Sequence, residues 1–256
     1  MTFLEANAAI TGPGQIFELI DAEVRGVKTR VFKNAPTHLG QLFAGSRAHG
    51  DKPFLVYENE TFTFTQAMDR IDALASLLVN TYGVKKGDRV AVAMRNFPEW
   101  VMSFAAIISV GAINVSMNSW WTEDEMDFAL EDSGATVLIC DQQRFDIGAA
   151  SCVKKNIKVL VVRAEKPLPA GVDKWEDVLP LGDKHPGADI QPDDDATILY
   201  TSGTTGRPKG AVSTHRAILS SIFAFSARNN VFLMSGTKLK EVDGPDVPTS
   251  FILIVP

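Results

Sequence analysis

Residues 196–210 read ATILYTSGTTGRPKG, an apolar run that passes directly into a loop rich in glycine and in hydroxyl side chains. The run ATILY predicts a short buried strand that ends where the loop begins. Gly203 and Gly206 allow several backbone N–H groups to converge on one anion, and Lys209 adds a compact positive charge. The stretch therefore predicts a phosphate-binding loop at the end of a strand.

Two other interpretations of this loop fit the sequence less well. A Walker-type phosphate loop needs Gly-Lys followed by Ser or Thr, whereas Lys209 follows Pro208 and precedes Gly210. Proline has no N–H to donate, and the hydroxyl that would bind magnesium is missing. A plain surface turn does not need so many donors together with a lysine. The role of Arg207 stays open between an anion contact and a position in solvent.

The residues after the loop predict a strand and then a helix. Residues 210–212 read as extended, and either Ser213 or Thr214 is the predicted N-cap of a helix that includes Ile218 and Leu219. The helix does not begin at the loop itself. We therefore expect the loop, more than a helix dipole, to hold the anion.

Upstream, residues 53–65 (PFLVYENETFTFT) predict a β-hairpin that turns at residues 58–60, because phenylalanines alternate with threonines in its second half. Thr65 is the predicted N-cap of the next helix. Apolar positions in that helix recur every three or four residues, and Gly83 is its predicted stop.

Strands and helices then alternate along the chain. The predicted elements are a strand at 89–94, a helix at 98–110, a strand at 112–117, a helix from Thr122, and strands at 136–141 and 158–162. Such alternation is typical of an α/β fold with a mostly parallel sheet flanked by helices. Thr122 and Glu125 have the spacing of a capping box, and Ser133-Gly134 is the predicted end of that helix.

Residues 166–195 are rich in Pro, Gly and Asp and predict a solvated connector between two halves of the domain. Asp193, Asp194 and Asp195 at its end suggest a metal site. Adjacent side chains in an extended chain point in different directions, however, so we expect no metal there.

The composition excludes several classes of protein. The chain has 25 basic and 31 acidic residues and a net charge of −6, which argues against a protein that coats nucleic acid or a membrane surface. Cys140 and Cys152 are too few for a disulfide scaffold and lack metal-ligand spacing. Neither the N-terminus nor the apolar residues 101–115 has the pattern of a signal peptide or a membrane span. We expect a cytoplasmic protein with no transmembrane segment.

The stretch LYTSGTTGRPKGAVSTH (residues 199–215) resembles the phosphate-loop signature of the AMP-forming adenylate ligases. This superfamily includes acyl-CoA and aryl-CoA synthetases, luciferases and the adenylation domains of peptide synthetases. Residues 57–78, 82–141 and 192–206 resemble successive blocks of the same family's N-terminal domain, nearest to those of fatty-acid CoA ligases. The resemblance covers about residues 35–225.

The resemblance implies a reaction and a set of ligands. A carboxylate attacks the α-phosphorus of ATP to give an acyl-adenylate and pyrophosphate, and coenzyme A then captures the acyl group. Donors around the β- and γ-phosphates would stabilise the charge that builds on the departing pyrophosphate, and Mg²⁺ would accompany ATP. By resemblance the phosphate contacts are Thr201, Ser202, Gly203, Thr204, Thr205, Gly206 and Lys209.

The resemblance also implies an incomplete domain. Residues 250–256 (SFILIVP) read as a buried strand, and in the family a similar stretch leads into the adenine pocket, the magnesium ligand and a mobile C-terminal domain with the catalytic lysine. We therefore expect no catalytic residue within the chain. The expected parts are an N-terminal extension with the first helices (1–50), a first α/β half (51–165), the connector (166–195), and the phosphate loop with the start of a second half (196–256).

Two other functions remain open on the sequence. One is a fragment of an amino-acid-activating adenylation domain, because the residues that would select the carboxylate are expected beyond Pro256. The other is a product that binds ATP without catalysis, or binds nothing. On either reading the isolated chain is expected to be inactive, and residues 229–249 are expected to be a surface insertion.

The remaining candidate residues have mainly structural interpretations. None of the four histidines, His38, His49, His185 and His215, has metal spacing or a neighbouring nucleophile motif. His215 has two open interpretations, a residue of the nucleotide site or a surface residue at a helix start. Trp120 and Trp121 are predicted to pack in the core rather than to flank an acyl tunnel. Core packing is also the predicted role of Met94, Met102 and Met117.

Overall fold

A computed structural model of the chain describes residues 1–201 and 207–236. Its centre is a seven-stranded sheet, and two further β-hairpins lie outside this sheet. The strands are β1 (Leu19–Val24), β2 (Val27–Phe32), β3 (Pro53–Tyr57), β4 (Glu60–Thr63), β5 (Arg89–Ala93), β6 (Ile113–Ser116), β7 (Val137–Asp141), β8 (Lys158–Val162), β9 (Val172–Lys174), β10 (Asp195–Thr201) and β11 (Lys209–Thr214).

Eight α-helices accompany these strands in the described residues. They are α1 (Phe3–Thr11), α2 (Leu39–Gly45), α3 (Phe64–Ser76), α4 (Pro98–Ser109), α5 (Glu123–Ser133), α6 (Gln142–Lys154), α7 (Trp175–Val178) and α8 (His215–Met234). A 3₁₀ helix (Ser46–His49) follows α2, and a π-helical turn (Leu77–Thr81) extends α3. The chain then leaves that turn at Gly83, whose φ of +73° confirms the predicted stop.

The central sheet has the order β11-β10-β6-β5-β7-β8-β9 and is parallel except for β11, which pairs with β10 as an antiparallel hairpin. This confirms the predicted α/β fold with a mostly parallel sheet. The chain runs from β5 to β6 on one side and then returns to β7 on the other. Parallel neighbours end at the same edge, so the residues that follow β5, β6, β7 and β10 all lie at one edge of the sheet.

Helices cover both faces of this sheet, which explains why its middle strands are almost wholly apolar. On one face Val90, Val92 and Ile139 pack with α3 and α4. On the other face Ala91, Leu138 and Val161 pack with α5 and α6. Met94, Met102 and Met117 are buried, as predicted from the sequence.

Two local predictions are confirmed in detail. Residues 53–63 form the β3–β4 hairpin. At the start of α5 the Glu125 carboxylate accepts a hydrogen bond from the Thr122 backbone N–H at 2.9 Å, which is the carboxylate half of the predicted capping box. The same helix ends at Gly134, whose left-handed φ of +62° favours glycine.

The predicted N-cap Thr65 is wrong, because the cap of α3 is Thr63. The Thr63 hydroxyl accepts from the Gln66 N–H at 3.2 Å, and the Gln66 side chain accepts from the Thr63 N–H at 3.0 Å. Thr63 has the extended backbone of a cap residue, with φ −73° and ψ 166°. The Thr-x-x-Gln spacing of a capping box was therefore the decisive signal.

Helix α6 was not predicted, because the apolar periodicity between the flanking strands is weak. Asp141 ends β7 and at the same time caps α6, since its carboxylate accepts from the Arg144 N–H at 2.9 Å. The N-terminal region also holds more structure than predicted. It contains the β1–β2 hairpin between α1 and α2.

The predicted connector, residues 166–195, is only partly solvated. Its strand β9 pairs with β8 at the edge of the central sheet, and Trp175 at the start of α7 is buried. Strands from both predicted halves thus belong to one sheet. The boundaries 51–165, 166–195 and 196–256 stay predictions.

Helix α8 corrects the predicted start of the surface insertion at residue 229. Residues 229–234 belong to α8, and Val231 is buried against α1. The rest of that segment from residue 237, and residues 250–256 with their predicted strand, lie outside the described residues.

Among the described residues α8 is the one helix long and apolar enough to cross a membrane. In its most apolar stretch of 18 residues, 17% of the residues are buried within the protein.

Candidate functional site

The described ends of the predicted phosphate loop lie opposite each other in the β10–β11 hairpin. Thr201 is the last residue of β10 and pairs with Lys209, the first residue of β11. The Thr201 hydroxyl donates to the Lys209 carbonyl oxygen at 3.4 Å. The other predicted contacts, Ser202, Gly203, Thr204, Thr205 and Gly206, lie outside the described residues. The two described ends of the loop therefore lie at the edge of the sheet where β6 and β10 end.

Lys209 is exposed and available to an anion. Within residues 1–201 and 207–236 its ammonium takes part in no ion pair, whereas four other lysines, Lys33, Lys86, Lys155 and Lys166, are paired with carboxylates. Arg207 is also exposed, with its guanidinium carbon 5.3 Å from the centre of the Phe128 ring. This cation–π contact places the guanidinium against α5, and both sequence interpretations of Arg207 stay predictions.

Tyr200 connects the loop-bearing strand to helix α5. Its hydroxyl donates to the Asp132 carboxylate at 2.7 Å. Burial and this carboxylate raise the pKa of Tyr200, so the phenol stays protonated and keeps its donor. Sequence reasoning missed Phe128 and Asp132, although their i, i+4 spacing places them on one face of the predicted helix.

The two tryptophans after β6 have different environments. Trp121 packs edge-on against the Tyr200 ring, with 5.6 Å between ring centres. Trp120 is 76% exposed, so the prediction that it packs in the core is wrong. Its ring lies 6.0 Å from the Arg95 guanidinium carbon, and this contact replaces core burial.

Buried polar contacts hold the segment that carries these tryptophans. Arg144, at the start of α6, donates to the Ser119 carbonyl oxygen through Nε at 2.7 Å and also through Nη2. The same guanidinium lies 3.4 Å from Asp141, and both side chains are almost fully buried. The Asp141 carboxylate further accepts from the Arg95 N–H at 3.0 Å, which joins the ends of β5 and β7.

The three consecutive aspartates at the start of β10 form ion pairs with basic side chains. Asp193 pairs with Arg216 at 2.6 Å, Asp194 with Lys86 at 2.7 Å and Asp195 with Arg25 at 2.7 Å. The Arg216 guanidinium is the main cause of a lowered pKa at Asp193. Among the described residues no group of three His, Cys, Asp or Glu side chains has the arrangement of a metal site.

His215 is buried, so the interpretation as a surface residue is wrong. Its Nδ1 accepts from the Leu39 N–H at 3.2 Å, and burial lowers its pKa to about 4. Thr214, its neighbour, pairs with Asp195 at the start of β10. The length of β10, about 20 Å at about 3.3 Å per residue, separates that position from the loop. His215 therefore follows the end of the hairpin opposite to Thr201, and its interpretation as a residue of the nucleotide site stays a prediction.

A serine–histidine contact in the structure does not form a hydrolase dyad. Ser109 Oγ lies 2.7 Å from His185 Nε2 at the wall of a cavity of about 400 Å³. His185 Nδ1 accepts from the Gly187 N–H at 2.9 Å, so Nε2 carries the proton and donates to Ser109. The serine hydroxyl in turn donates to the Ala106 carbonyl oxygen at 2.9 Å. The imidazole thus cannot act as a base towards this serine.

Comparison with known families agrees with this geometry. Residues 42–241 match the model of the family described as AMP-binding enzyme. The chain belongs to this family. Its sequence thereby falls within the AMP-forming ligase superfamily, as the loop predicts, and its α/β sheet has the fold of that superfamily's N-terminal part.

Curated relatives of this AMP-binding chain are CoA ligases with different named substrates. Long-chain-fatty-acid–CoA ligase of Escherichia coli O6:H1 is 29% identical over 243 residues, which covers 83% of this chain and 43% of the relative. 4-Coumarate–CoA ligase 3 of Oryza sativa subsp. japonica is 28% identical and covers 74% and 34%. 2-Succinylbenzoate–CoA ligase of Bacillus velezensis is 34% identical and covers 62% and 30%. The chain thus spans less than half the length of each.

Solved structures show the same fold. An anthranilate CoA ligase in complex with anthranoyl-AMP superposes with a TM-score of 0.63 at 24% identity, over 71% of this chain and 35% of that one. Coronafacic acid ligase from Pectobacterium brasiliense gives 0.62 at 20% identity, over 70% and 35%. At these identities the likeness supports the fold alone.

Proposed function

We propose that this chain is the ATP-phosphate-binding portion of an AMP-forming carboxylate–CoA ligase. The observation that carries the proposal is the pairing of Thr201 with Lys209 across the hairpin that bears the loop. This pairing brings a hydroxyl, and an ammonium that has no ion pair among the described residues, to the strand end where ligands commonly bind in parallel α/β sheets. The family match over residues 42–241 supports the same nucleotide chemistry.

The residues present fit a polyphosphate. Lys209 supplies a charge that is unneutralised among the described residues, and Thr201 supplies a hydroxyl beside it. In the proposed reaction these groups, with Ser202 to Gly206, bind the β- and γ-phosphates and stabilise the departing pyrophosphate. Mg²⁺ would arrive with ATP and neutralise part of its charge. CoA and the carboxylate would be bound by the rest of a full-length ligase.

We favour a fatty acid as the carboxylate substrate. Support comes from the likeness of residues 57–141 to fatty-acid CoA ligases and from relatives that carry that name. Other relatives are named for 4-coumarate and 2-succinylbenzoate, so an aromatic acid is the alternative. Pyrophosphate exchange with fatty and aromatic acids, on a chain extended to the length of the relatives, decides between them.

The cytoplasmic location stays a prediction.

Isothermal titration with Mg·ATP tests the binding proposal on the chain itself. We expect weak binding by the wild type and a Kd at least about tenfold higher for Lys209→Ala, because hydrogen bonds to charged groups contribute about 1.5–3 kcal/mol. Lys158→Ala is the matched control, since Lys158 is also the exposed first residue of a strand. Equal affinity of wild type and Lys209→Ala contradicts the proposal.

We also expect no turnover by this chain alone. Steady acyl-CoA production by the purified chain would contradict its assignment as a portion of the enzyme.

A further inference from the structure

Both described ends of the phosphate loop contact the same face of helix α5. On the incoming side the Tyr200 hydroxyl donates to Asp132 at 2.7 Å and lies 3.5 Å from the Ala129 carbonyl oxygen. On the outgoing side the Arg207 guanidinium lies over the Phe128 ring at 5.3 Å. Phe128 and Asp132 are one helical turn apart, so they form one surface with Ala129, which we call the α5 anchor face.

Gly210 leaves room for the β10 side chains beside the Tyr200 ring. Gly210 is the partner of Tyr200 in the β10–β11 register. A Cβ at Gly210 would lie 2.8 Å from Ile198 Cγ2, which is too close, and 3.4 Å from Tyr200 Cζ, which is an ordinary contact. Gly210 does not have a positive φ, so glycine is needed there for space rather than for backbone conformation. Trp121 packs edge-on against the same ring.

We propose that the α5 anchor face positions the phosphate loop, with Tyr200 and Asp132 as positioning residues for polyphosphate binding. This inference rests on the proposed function and adds residues outside the loop motif to it. Tyr200 precedes Thr201 directly, so a fixed Tyr200 ring fixes the strand end from which the loop leaves. A loop held in its binding geometry loses less conformational entropy when the anion binds, and this gain appears as affinity.

The alternative is that the tyrosine–aspartate hydrogen bond stabilises the fold and nothing more. The chain offers a matched control for that case. Tyr82, which follows the α3 extension, donates to Asp173 of β9 at the same distance of 2.7 Å. Strand β9 is at the opposite edge of the sheet from β11, so this second pair cannot contact the loop. Removing the Tyr200 hydroxyl or the Tyr82 hydroxyl should lower stability by a similar amount, but only removal of the Tyr200 hydroxyl should weaken polyphosphate binding.

Titrations with Mg·ATP and with Mg·pyrophosphate test the proposal. For Tyr200→Phe we expect a Kd about fivefold higher for both ligands, since one hydrogen bond contributes about 1 kcal/mol. Asp132→Ala should have the same effect, and Asp132→Asn, which keeps an acceptor oxygen, a smaller one. Tyr200→Phe combined with Asp132→Ala should be no worse than either single change. Tyr82→Phe should leave both Kd values unchanged while it lowers the thermal midpoint.

The outcomes separate the two proposals. If Lys209→Ala weakens binding but Tyr200→Phe and Asp132→Ala do not, the anchoring role is wrong and the phosphate site stands. If Tyr82→Phe weakens binding as much as Tyr200→Phe, the effect is one of general stability and the anchoring role is again wrong. If the wild type and Lys209→Ala do not differ, the phosphate site is wrong and the anchoring role has no basis.

Discussion

The middle of the central sheet and the hairpin at its edge differ in what their side chains contact. Every residue of β7 is buried, whereas none of the six residues of β11 is. In the hairpin Leu199 and Val212 are more than half exposed, although both are apolar. The middle strands therefore supply stability, and the hairpin supplies donors and charge to solvent. Substitutions in the first region should lower the free energy of unfolding, and those in the second should lower affinity.

The largest expected effect on stability is at the buried Arg144–Asp141 pair. Arg144→Leu removes the donors of the Ser119 carbonyl oxygen and leaves the Asp141 carboxylate without its buried cation. We expect the free energy of unfolding to fall by about 3–4 kcal/mol, because breaking a buried pair leaves an uncompensated charge. Urea denaturation at pH 7 measures this change.

Arg47→Leu is the matched control for that substitution. Arg47 pairs with Asp72 at 2.6 Å, but its side chain is 44% exposed. We expect the control to change stability by less than about 1 kcal/mol. Arg144→Leu could instead leave stability unchanged and weaken Mg·ATP binding. That result would contradict the division into a core that stabilises the fold and a hairpin that binds the ligand.

The sequence predicts the middle of the molecule better than its borders. The apolar runs of β5 to β8 have one stable solution, a sheet covered on both faces, and so the fold class follows from them. The apolar run before the loop motif likewise predicts a strand that ends where the loop begins, and β10 ends there at Thr201. Helix α6 was missed because the apolar periodicity between β7 and β8 is weak and because its cap, Asp141, is also the last residue of β7. The contact of Tyr200 with Asp132 was missed because it joins residues distant in sequence, which no local pattern encodes.

The second expected effect depends on pH and concerns the far end of the hairpin. Burial lowers the pKa of His215 to about 4 from an ordinary value near 6.5, with a further contribution from His38, while Asp194 acts in the opposite direction. The unfolded chain therefore binds a proton at a higher pH than the folded one. Stability should be constant above about pH 7 and should fall as the pH drops from 6.5 towards 4.

Denaturant unfolding at several pH values between 4 and 8 measures this dependence. His215→Gln retains an acceptor for the Leu39 N–H but does not titrate, so its stability should fall less steeply across that interval. Burial also lowers the pKa values of His38 and His185, and part of the slope should therefore remain in the variant. If stability falls equally steeply with pH in the wild type and in His215→Gln, the pKa of His215 is not lowered in the folded protein.

The smallest expected effect concerns the cap of α3, a helix that covers the buried strands. Thr63→Ala removes the acceptor of the Gln66 N–H, and we expect a loss of about 1 kcal/mol in the free energy of unfolding. Thr65→Ala should change stability by less than about 0.5 kcal/mol, because Thr65 is exposed inside the first turn and alanine favours a helix. Neither change should alter Mg·ATP affinity, because α3 packs mainly against α4 and the β3–β4 hairpin. A larger loss for Thr65→Ala than for Thr63→Ala would return the cap to the position that the sequence first indicated.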